Sequence, residues 1–389
     1  MLVKTCFKCH TSEGNKERVA IDNIPKPHLN LKSAFINTFF LRNSLKNNIL
    51  KQKHFWFSKD LKLMILKWLS PFRNRNKIQF QDYLSSYTSL RPSEENPFDL
   101  FEACWSTKIP NIDNTGPFDG FNDERIQWLI EELGPIKNED ILELGPLEAA
   151  HTFMLEQAGA QVLSIEGNYG AFLRCLTVKN FLGLQAKFLL GDFSKMDLNS
   201  RYFKAVVACG ILYHMPDPVS LLEKIAKNTD NIFLWTHYFD DDFESWSPRA
   251  RRELIDGKWD TENTQNRDFN GVQVRTVRQN YGQALGWRGF CGGTESYSYW
   301  IYKQDLLAVL DRLGFASVQI NFDKVDHPNG PCFAVVASKF DLSYYLDPNI
   351  NPDLNIAFGK LPYEEKRLAA IEHFKVYGRK EGRLAVSPN

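Results

Sequence analysis

The sequence from residue 140 to residue 237 alternates regularly between short apolar runs and helical patterns. The apolar runs predict strands at residues 141–144, 161–165, 186–190, 205–208 and 231–235. The patterns between them predict helices at residues 152–158, 169–182 and 219–227. Short apolar runs separated by helices are typical of strands that are buried on both faces of a parallel sheet. Because parallel crossovers are right-handed, this pattern favours a doubly wound α/β sheet.

The alternation is interrupted once and then resumes. Residues 236–300 are rich in Asp, Arg, Trp and Gly and are too many for a plain loop, so we interpret them as an insert that covers the active-site end of the sheet. A helix at 303–313 and strands at 318–322 and 332–337 then complete the sheet, and a further helix at 119–133 precedes it. The predicted domain spans residues 116–340, between a basic N-terminal region at 1–115 and a small helical unit at 341–389.

Three carboxylates and several glycines follow four successive predicted strands. The carboxyl ends of the strands in a doubly wound sheet form one crevice, so these residues are expected to meet in a single binding site. The residues at these ends are Glu143, Gly145, Pro146, Glu166, Gly167, Asp192, Phe193, Cys209 and Gly210.

The side chains of this crevice suit a ligand that contains a nucleoside. The turn after the first strand offers backbone N–H groups, and Glu143 is placed to orient the part of the ligand that lies there. Glu166 has two oxygens that can accept hydrogen bonds from both ribose hydroxyls. Asp192 can accept from the adenine amino group, with Phe193 against the ring. Each acid alone could instead cap a helix or belong to a turn, but the ordered set favours ligand binding.

Four motifs surround these residues. They are Ile-Leu-Glu-Leu-Gly-Pro-Leu-Glu from residue 141, Ser-Ile-Glu-Gly-Asn from 164, Leu-Leu-Gly-Asp-Phe from 189 and Val-Ala-Cys-Gly-Ile-Leu-Tyr-His-Met-Pro-Asp-Pro from 207. They resemble the motifs of class I S-adenosylmethionine-dependent methyltransferases, and the last is similar to that of the tRNA wobble-uridine carboxymethyltransferase group. The resemblance implies S-adenosyl-L-methionine as cofactor and a Rossmann-like, seven-stranded sheet with an antiparallel last strand. One departure is Ala149, which stands where many members carry the third glycine of the first turn.

Methyl transfer requires a base only when the acceptor is a group such as a hydroxyl or an amine. His214 is the first candidate for a catalytic role, with Tyr213 beside it at the mouth of the site, and His237 with Tyr238 is the second. His214 is interpreted equally well as a packing or capping histidine that shapes the pocket. His151 is expected at the first turn of its helix, close to the ligand but not catalytic.

The insert carries arginines and aromatic residues that suit an acceptor with a phosphate, a carboxylate, a sugar or a nucleotide. A structural lid with ordinary surface arginines explains them equally well. These residues are Arg249, Arg251, Arg252, Trp259, Arg275, Arg278, Trp287 and Arg288.

Composition predicts an ordinary globular protein, since 24% of its residues are charged. No apolar stretch approaches the about 20 residues of a membrane span, so a cytoplasmic location is expected. The net charge is zero, but residues 1–80 hold 16 Lys and Arg against four acids. This basic region could contact nucleic acid, an anionic membrane or an acidic partner, or it could lie against the acidic remainder of its own chain.

Two smaller features lie in the N-terminal region. Residues 61–69 predict a helix with one apolar face, which is expected to dock on the main domain or on another subunit rather than on a membrane. Cys6, Cys9 and His10 have the spacing of a haem attachment or of half a zinc site, but the chain offers neither an export signal nor a second ligand pair. We interpret them as a chance arrangement or a weak metal-binding terminus.

Residues 342–383 resemble a small module that is appended to bacterial glycosyltransferases, with a predicted helix at 363–377. This resemblance favours a sugar or glycan precursor as the small-molecule acceptor. A tRNA-modifying methyl- or carboxymethyltransferase is the first alternative, motivated by the Tyr-His motif and the basic region. A non-catalytic binding or scaffold protein that keeps the fold is the second. The predicted site has no metal, and the sequence does not define the oligomeric state.

Overall fold

The computed structural model of the chain describes residues 87–113, 115–198, 201–287 and 292–387. The predictions for residues 1–86, which include the helix at 61–69 and the group Cys6, Cys9 and His10, lie outside these residues. The same holds for Arg288 of the insert.

The strands of the described chain form two sheets. Their bounds are β1 Asp140–Leu144, β2 Gln161–Glu166, β3 Lys187–Leu190, β4 Ala205–Cys209, β5 Asn231–His237, β6 Trp259–Phe269, β7 Val272–Asn280, β8 Tyr297–Ile301, β9 Ser317–Lys324 and β10 Cys332–Ser338. The larger sheet has seven strands in the order β3-β2-β1-β4-β5-β10-β9. Strands β1 to β5 are parallel to one another, and β10 is antiparallel to both of its neighbours, β5 and β9. The predicted doubly wound sheet with an antiparallel last strand is therefore confirmed.

Helices cover both faces of the large sheet. Their bounds are α1 Asn96–Asp99, α2 Glu124–Leu133, α3 Ala150–Gln157, α4 Tyr169–Leu182, α5 Pro218–Ala226, α6 Pro248–Ile255, α7 Lys303–Arg312, α8 Leu342–Tyr345, α9 Pro352–Phe358 and α10 Tyr363–His373. Alternate strand residues face opposite sides. Leu142 and Leu144 pack in the core under α5 and α7, whereas Ile141 packs in the core under α2 and α3. Among the described residues, no helix combines the length and apolar character that crossing a membrane requires.

Local signals fix the ends of the helices that follow the site strands. Asn168 caps α4 by accepting a hydrogen bond from the backbone N–H of Ala171, and Gly183 ends the helix in the left-handed conformation. Asp217 caps α5 in the same way through Ser220, with Pro218 at the first helical position. The predicted bounds of α4 therefore agree with the observed ones.

The insert contains helix α6 and the three-stranded antiparallel sheet β6-β7-β8, none of which the sequence predicted. Strand β6 is polar and exposed along most of its length, so it lacks the apolar alternation that identifies a strand. Only its ends, Trp259 and Phe269, are buried. Trp259 joins Trp246 and Trp300 in a small core of the insert's own.

The C-terminal unit is a small helical group with a core built from Tyr345, Leu354 and Phe374. The predicted helix at 363–377 is present as α10, and it continues into a π-helical turn, Phe374–Gly378. Arg379 then donates hydrogen bonds to the Glu132 carbonyl oxygen at 3.1 Å and to Ser338 Oγ at 2.7 Å. These contacts join the unit to α2 and β10.

Candidate active site

A cavity of 390 Å³ lies at the carboxyl ends of the parallel strands. Ten of the residues that the sequence assigned to the site line this cavity, and Glu143 does not. The ten are Gly145, Pro146, Glu166, Gly167, Asp192, Phe193, Cys209, Gly210, Tyr213 and His214. The strand ends therefore meet in one crevice, as expected for this topology.

Glu143 is buried beneath the cavity instead of facing it, with 2% of its surface exposed. Its carboxylate accepts hydrogen bonds from Thr152 Oγ1 on α3 and from Ser164 Oγ on β2, the latter at 2.9 Å. Burial raises the pKa of this carboxyl, although His151, Thr152 and Ser164 act in the opposite direction. In the structure, Glu143 joins β1 to its neighbouring elements, and a direct contact with a ligand stays a prediction.

The first turn, residues 145–149, has a left-handed backbone at alternate positions. The φ angles are 68° at Gly145, 54° at Leu147 and 59° at Ala149. Glycine is favoured at 145, because its φ is positive and an added Cβ would lie 2.1 Å from Ile211 Cδ1, so that the Ile211 side chain would have to move. Leu147 and Ala149 keep the same conformation at a cost of roughly 1–2 kcal/mol each. The missing glycine noted at Ala149 thus leaves the left-handed backbone of the turn in place.

Glu166 is fixed at the end of β2 by two backbone groups. Leu147 N–H donates to Oε2 at 3.1 Å, and Asn168 N–H donates to Oε1 at 2.8 Å. Burial raises the pKa of this carboxyl, and the backbone hydrogen bonds partly offset the shift. Each oxygen still has acceptor capacity toward the cavity, where a vicinal diol can donate to both.

Asp192 is both a cap and a residue of the cavity wall. Its Oδ1 accepts hydrogen bonds from the Ser194 N–H at 2.9 Å and from Ser194 Oγ at 2.7 Å, at the start of a short 3₁₀ turn. Burial raises the pKa of this carboxyl, but Ser194 and Lys195 more than offset that effect, so the pKa is lowered. Asp192 is therefore an anionic acceptor at neutral pH.

His214 lies in a 3₁₀ turn after β4, and its Nδ1 is 2.8 Å from the hydroxyl oxygen of Tyr281. Burial, with a smaller effect of Lys258, lowers the pKa of His214 to about 4. The imidazole is therefore neutral at physiological pH. When Nδ1–H donates to Tyr281, Nε2 carries the lone pair, and no described residue forms a hydrogen bond with Nε2.

Tyr213 packs against other rings. Its ring centroid is 4.6 Å from that of His237, and Trp235 and Trp300 also contact it. Burial raises the pKa of Tyr213, so its hydroxyl stays protonated. Tyr213 therefore shapes the wall beside His214.

The second pair of candidate bases does not line the cavity. His237 Nδ1 is 2.9 Å from the Gly330 carbonyl oxygen, and the Tyr238 hydroxyl donates to Asp323 Oδ1 at 3.0 Å. Both side chains are thus bound to groups outside the cavity.

A charged cluster in the wall was only partly anticipated from the sequence. Asp123 accepts hydrogen bonds from Arg125, and His151 Nε2 lies 2.9 Å from Asp123 Oδ2. The Arg125 guanidinium also lies 4.6 Å from the centre of the Trp235 ring. Burial lowers the pKa of His151, but Cys209 and Asp123 raise it to about 10. The guanidinium of Arg125 and the imidazole of His151 thus both lie against the Asp123 carboxylate in this corner of the cavity.

No local motif could have placed Arg125 in the site. It lies on α2, ahead of the first strand, and only the packing of α2 beside the sheet brings its side chain to the cavity. Asp123 does have a local signal, because it is the N-cap of α2.

The insert reaches the cavity through Gly292, Gly293 and Thr294. An added Cβ at Gly293 would lie 2.5 Å from the His214 carbonyl oxygen, so glycine allows the insert to approach the 3₁₀ turn closely. None of the described insert arginines lines the cavity. Arg249 instead pairs with Glu253 at 3.0 Å, and Arg275 pairs with Asp305 at 2.9 Å.

Comparison with known families identifies the part of the chain that forms the centre of this site. Residues 142–229, which carry β1 to β4 and the 3₁₀ turn with His214, match the family model of a methyltransferase domain. The chain contains an S-adenosylmethionine-dependent methyltransferase domain. The matched residues include every predicted cofactor-binding position.

Relatives of the methyltransferase domain are distant. A tRNA U34 carboxymethyltransferase of Nautilia profundicola is 24% identical over 194 residues, which are 46% of this chain. The chain spans 63% of that relative's length.

Several solved structures are similar to part of this chain, among them the following two. The N-terminal domain of EvdMO1 with SAH bound is 22% identical, covers 63% of this chain and 95% of its own, and has a TM-score of 0.47. Magnesium protoporphyrin IX methyltransferase from Synechocystis PCC 6803, also with bound SAH, is 14% identical and has a TM-score of 0.37. The match covers 55% of this chain and 80% of that protein.

The polar groups of the methyltransferase cavity fit S-adenosylmethionine. Glu166 can accept from the ribose diol, and Asp192 Oδ2 can accept from an amino group. Gly145 and Gly210 have positive φ and no side chain, so the backbone is bare where the cofactor would approach. Arg125 and His151 provide positive charge that suits a carboxylate.

Proposed function

We propose that this chain transfers the methyl group of S-adenosylmethionine to a hydroxyl group of a small acceptor, and that a sugar or glycan precursor is that acceptor. The observation that carries the proposal is the state of His214. Its imidazole is neutral, lies in the cavity wall and has Nδ1 anchored by the hydroxyl of Tyr281. A neutral, oriented imidazole is suited to remove the proton that a hydroxyl loses on methylation.

The cofactor is held by the residues of the strand ends. Glu166 binds the ribose hydroxyls, Asp192 binds the adenine amino group and Phe193 packs on the adenine ring. Arg125 lines the cavity beside His151, and its guanidinium binds the methionine carboxylate. Glu143 connects β1 to α3 and β2 beneath the cavity.

S-adenosylmethionine, when bound, supplies a methyl group on a sulfonium sulfur, which is transferred by in-line displacement. Alignment is therefore the main contribution of the protein. The acceptor hydroxyl gives its proton to Nε2 of His214, while Nδ1–H donates to the Tyr281 oxygen and stabilises the imidazolium that forms. The rings of Tyr213 and Trp235 line this part of the cavity and give it an apolar wall.

The acceptor class rests on the character of the wall and on the C-terminal unit. Phe118, Tyr213 and Trp235 present aromatic surface beside the hydrogen-bonding groups of Thr107 and Thr294. A wall of this kind suits a ring with an apolar face and polar edges. The resemblance of residues 342–383 to a glycosyltransferase-associated module adds to this choice.

The first test is calorimetry with S-adenosylmethionine. Glu166→Ala and Asp192→Ala each remove a hydrogen bond to a charged group of about 1.5–3 kcal/mol, so the affinity should fall by about 10- to 100-fold. Asp256→Ala, an exposed acid on the insert, should leave the affinity unchanged. Absence of binding by the parent chain would refute the assignment.

The second test is transfer of a labelled methyl group into a metabolite and glycan extract. His214→Asn should keep the cofactor affinity and reduce the transfer rate by about 10²- to 10⁴-fold, as expected for loss of a general base. Cofactor binding without a labelled product would favour the scaffold function. A His214→Asn variant with the parent rate would refute the role of His214.

A tRNA acceptor is the second candidate, because the matched relative of Nautilia profundicola is a tRNA U34 carboxymethyltransferase. The excess of Lys and Arg in residues 1–80 is compatible with that acceptor. This function requires association with tRNA that weakens steeply as salt rises and that depends on residues 1–80. Association that is absent or independent of salt would exclude it.

A further inference from the structure

Three possible metal ligands lie together behind the wall of the cavity. They are His237 at the end of β5, Cys332 at the start of β10 and His327 in the connection that precedes β10. One ligand atom of each lies within 4.8 Å of the others. None of the three lines the cavity, so the cluster is separate from the site described above.

The sheet itself brings two of these side chains together. His237 and Cys332 are directly opposite each other in the antiparallel pair β5-β10. Directly opposite residues project from the same face of a sheet, with neighbouring Cβ atoms. Both side chains are buried. The strand pairing therefore holds a thiol and an imidazole side by side.

The orientation of His237 is the one that a metal-bound imidazole requires. Its Nδ1 lies 2.9 Å from the Gly330 carbonyl oxygen and 3.1 Å from that of Pro331, so Nδ1 carries the proton and donates. The ring is stacked on Trp300 with centroids 4.9 Å apart. Metal-bound histidines characteristically donate their other N–H to a carbonyl or a carboxylate. Nε2 of His237 is thus the nitrogen that is available to a metal.

We propose that His237 Nε2, His327 and the Cys332 thiolate bind one Zn²⁺ ion, with water in the fourth position. Imidazole nitrogen and thiolate sulfur are the preferred ligands of zinc, and three protein ligands with one open position form a known coordination set. His327 is only half-buried, so the ion and the water can enter from its side.

Zinc binding releases one proton and changes one hydrogen bond of the protein. Cys332 releases its thiol proton to solvent, because the thiolate is the ligand. His327 Nδ1 now accepts a 3.2 Å hydrogen bond from the Asn329 N–H. Coordination through Nε2 moves the ring proton to Nδ1, and coordination through Nδ1 uses its lone pair. In both cases the Asn329 N–H turns to solvent.

The role of the ion is to position the cavity wall. His237 contacts the ring of Tyr213, and the Trp235 ring has its centroid 5.3 Å from His237 and 6.2 Å from His327. Tyr213 and Trp235 both line the cavity. Zinc would fix the connection 325–331 against β5 and, through it, the packing of these two rings.

The test uses the full chain with Cys6→Ser and Cys9→Ser, so that the N-terminal group cannot contribute metal. After chelation, zinc is added back and competed against a chromophoric chelator, and bound zinc is measured by mass spectrometry. We expect one ion per chain. His327→Ala and Cys332→Ser should each weaken binding by more than about 100-fold, beyond the 10- to 100-fold typical of an outer-shell change. Cys104→Ser, a half-buried cysteine elsewhere, should have no effect.

Cobalt identifies the ligands independently. The Co²⁺-loaded chain should show an intense sulfur-to-cobalt band together with tetrahedral visible bands, and Cys332→Ser should abolish the sulfur band. Cys332 is buried, so Cys332→Ser could weaken zinc binding by disturbing the fold. His327→Ala changes a half-exposed residue and therefore tests the ligand set with less risk to the fold. No stoichiometric zinc in the background chain, or full zinc binding by His327→Ala and Cys332→Ser, would overturn the proposal.

Discussion

The first turn of the methyltransferase domain depends on a buried ion pair that can be tested directly. Glu148 and Arg174 form a salt bridge of 3.1 Å with side-chain exposures of 0% and 4%. The same carboxylate accepts hydrogen bonds from the Ser106 N–H at 2.9 Å and from the Thr107 N–H at 2.6 Å. Glu148 therefore connects the first turn to α4 and to the segment that precedes the sheet.

Glu148→Gln keeps the size of the side chain but removes its charge. This removes the negative charge that pairs with the buried guanidinium of Arg174, and removing one partner of a buried pair costs about 3–5 kcal/mol. At about 2–4 °C per kcal/mol for a domain of this size, the melting temperature should fall by roughly 6–20 °C. Thr107 also lines the cavity, so the affinity for S-adenosylmethionine should fall with stability.

The assay is thermal or urea unfolding of the parent, Glu148→Gln, Arg174→Met and the double variant. The double variant should cost less than the sum of the single changes, since neither charge is left without its partner. Arg249→Gln, which removes one partner of an exposed pair on α6, should cost less than about 1 kcal/mol. The reasoning is refuted if Glu148→Gln unfolds within 2 °C of the parent, or if the single effects simply add.

Two further predictions concern the acceptor side. Gly293→Ala should lower kcat/KM by about 10- to 100-fold, because the added Cβ would lie 2.5 Å from the His214 carbonyl oxygen. Gly286→Ala is the control and should have no effect, because its added Cβ would have no atom within 4 Å. In the pH profile of kcat/KM, activity should be lost as pH falls through the His214 pKa of about 4, since the base must be neutral. His214→Asn should remove this acid limb, and a limb near the ordinary histidine value of about 6.5 would contradict the buried state of His214.

The large sheet was predictable because its signals are local. The strands that are buried on both faces read as continuous apolar runs, and α4 has a capping asparagine before it and a left-handed glycine after it. The insert gave no comparable signal. Strand β6 is exposed along most of its length and pairs with β7, so its sequence lacks the apolar residues that a buried strand would show.

The residues of the candidate site also differ in whether a local sequence signal identified them. Glu166 and Asp192 were identified because a carboxylate that follows a parallel strand is placed at the crevice by topology alone. Glu143 lies opposite Ser164 on β2, two residues before Glu166 in the register of the sheet. Its carboxylate is bonded to Ser164 and to Thr152 on α3, and the spacing of the sequence does not show these contacts. Arg125 reaches the cavity from outside the strand-helix alternation, which sequence spacing does not encode.

The parts of the wall that lie outside the sheet contact the first turn and the segment of His214, which we propose to hold the cofactor and the base. Thr107 precedes the sheet and is bonded to Glu148 of the first turn, while Gly293 of the insert packs on the backbone of His214. A change in either segment can therefore affect the first turn or the candidate base through direct contacts. Under the proposed function, we expect acceptor choice and cofactor geometry to be coupled. Substitutions that alter the acceptor should alter S-adenosylmethionine affinity when they lie near Thr107. They should alter the transfer rate when they lie near Gly293.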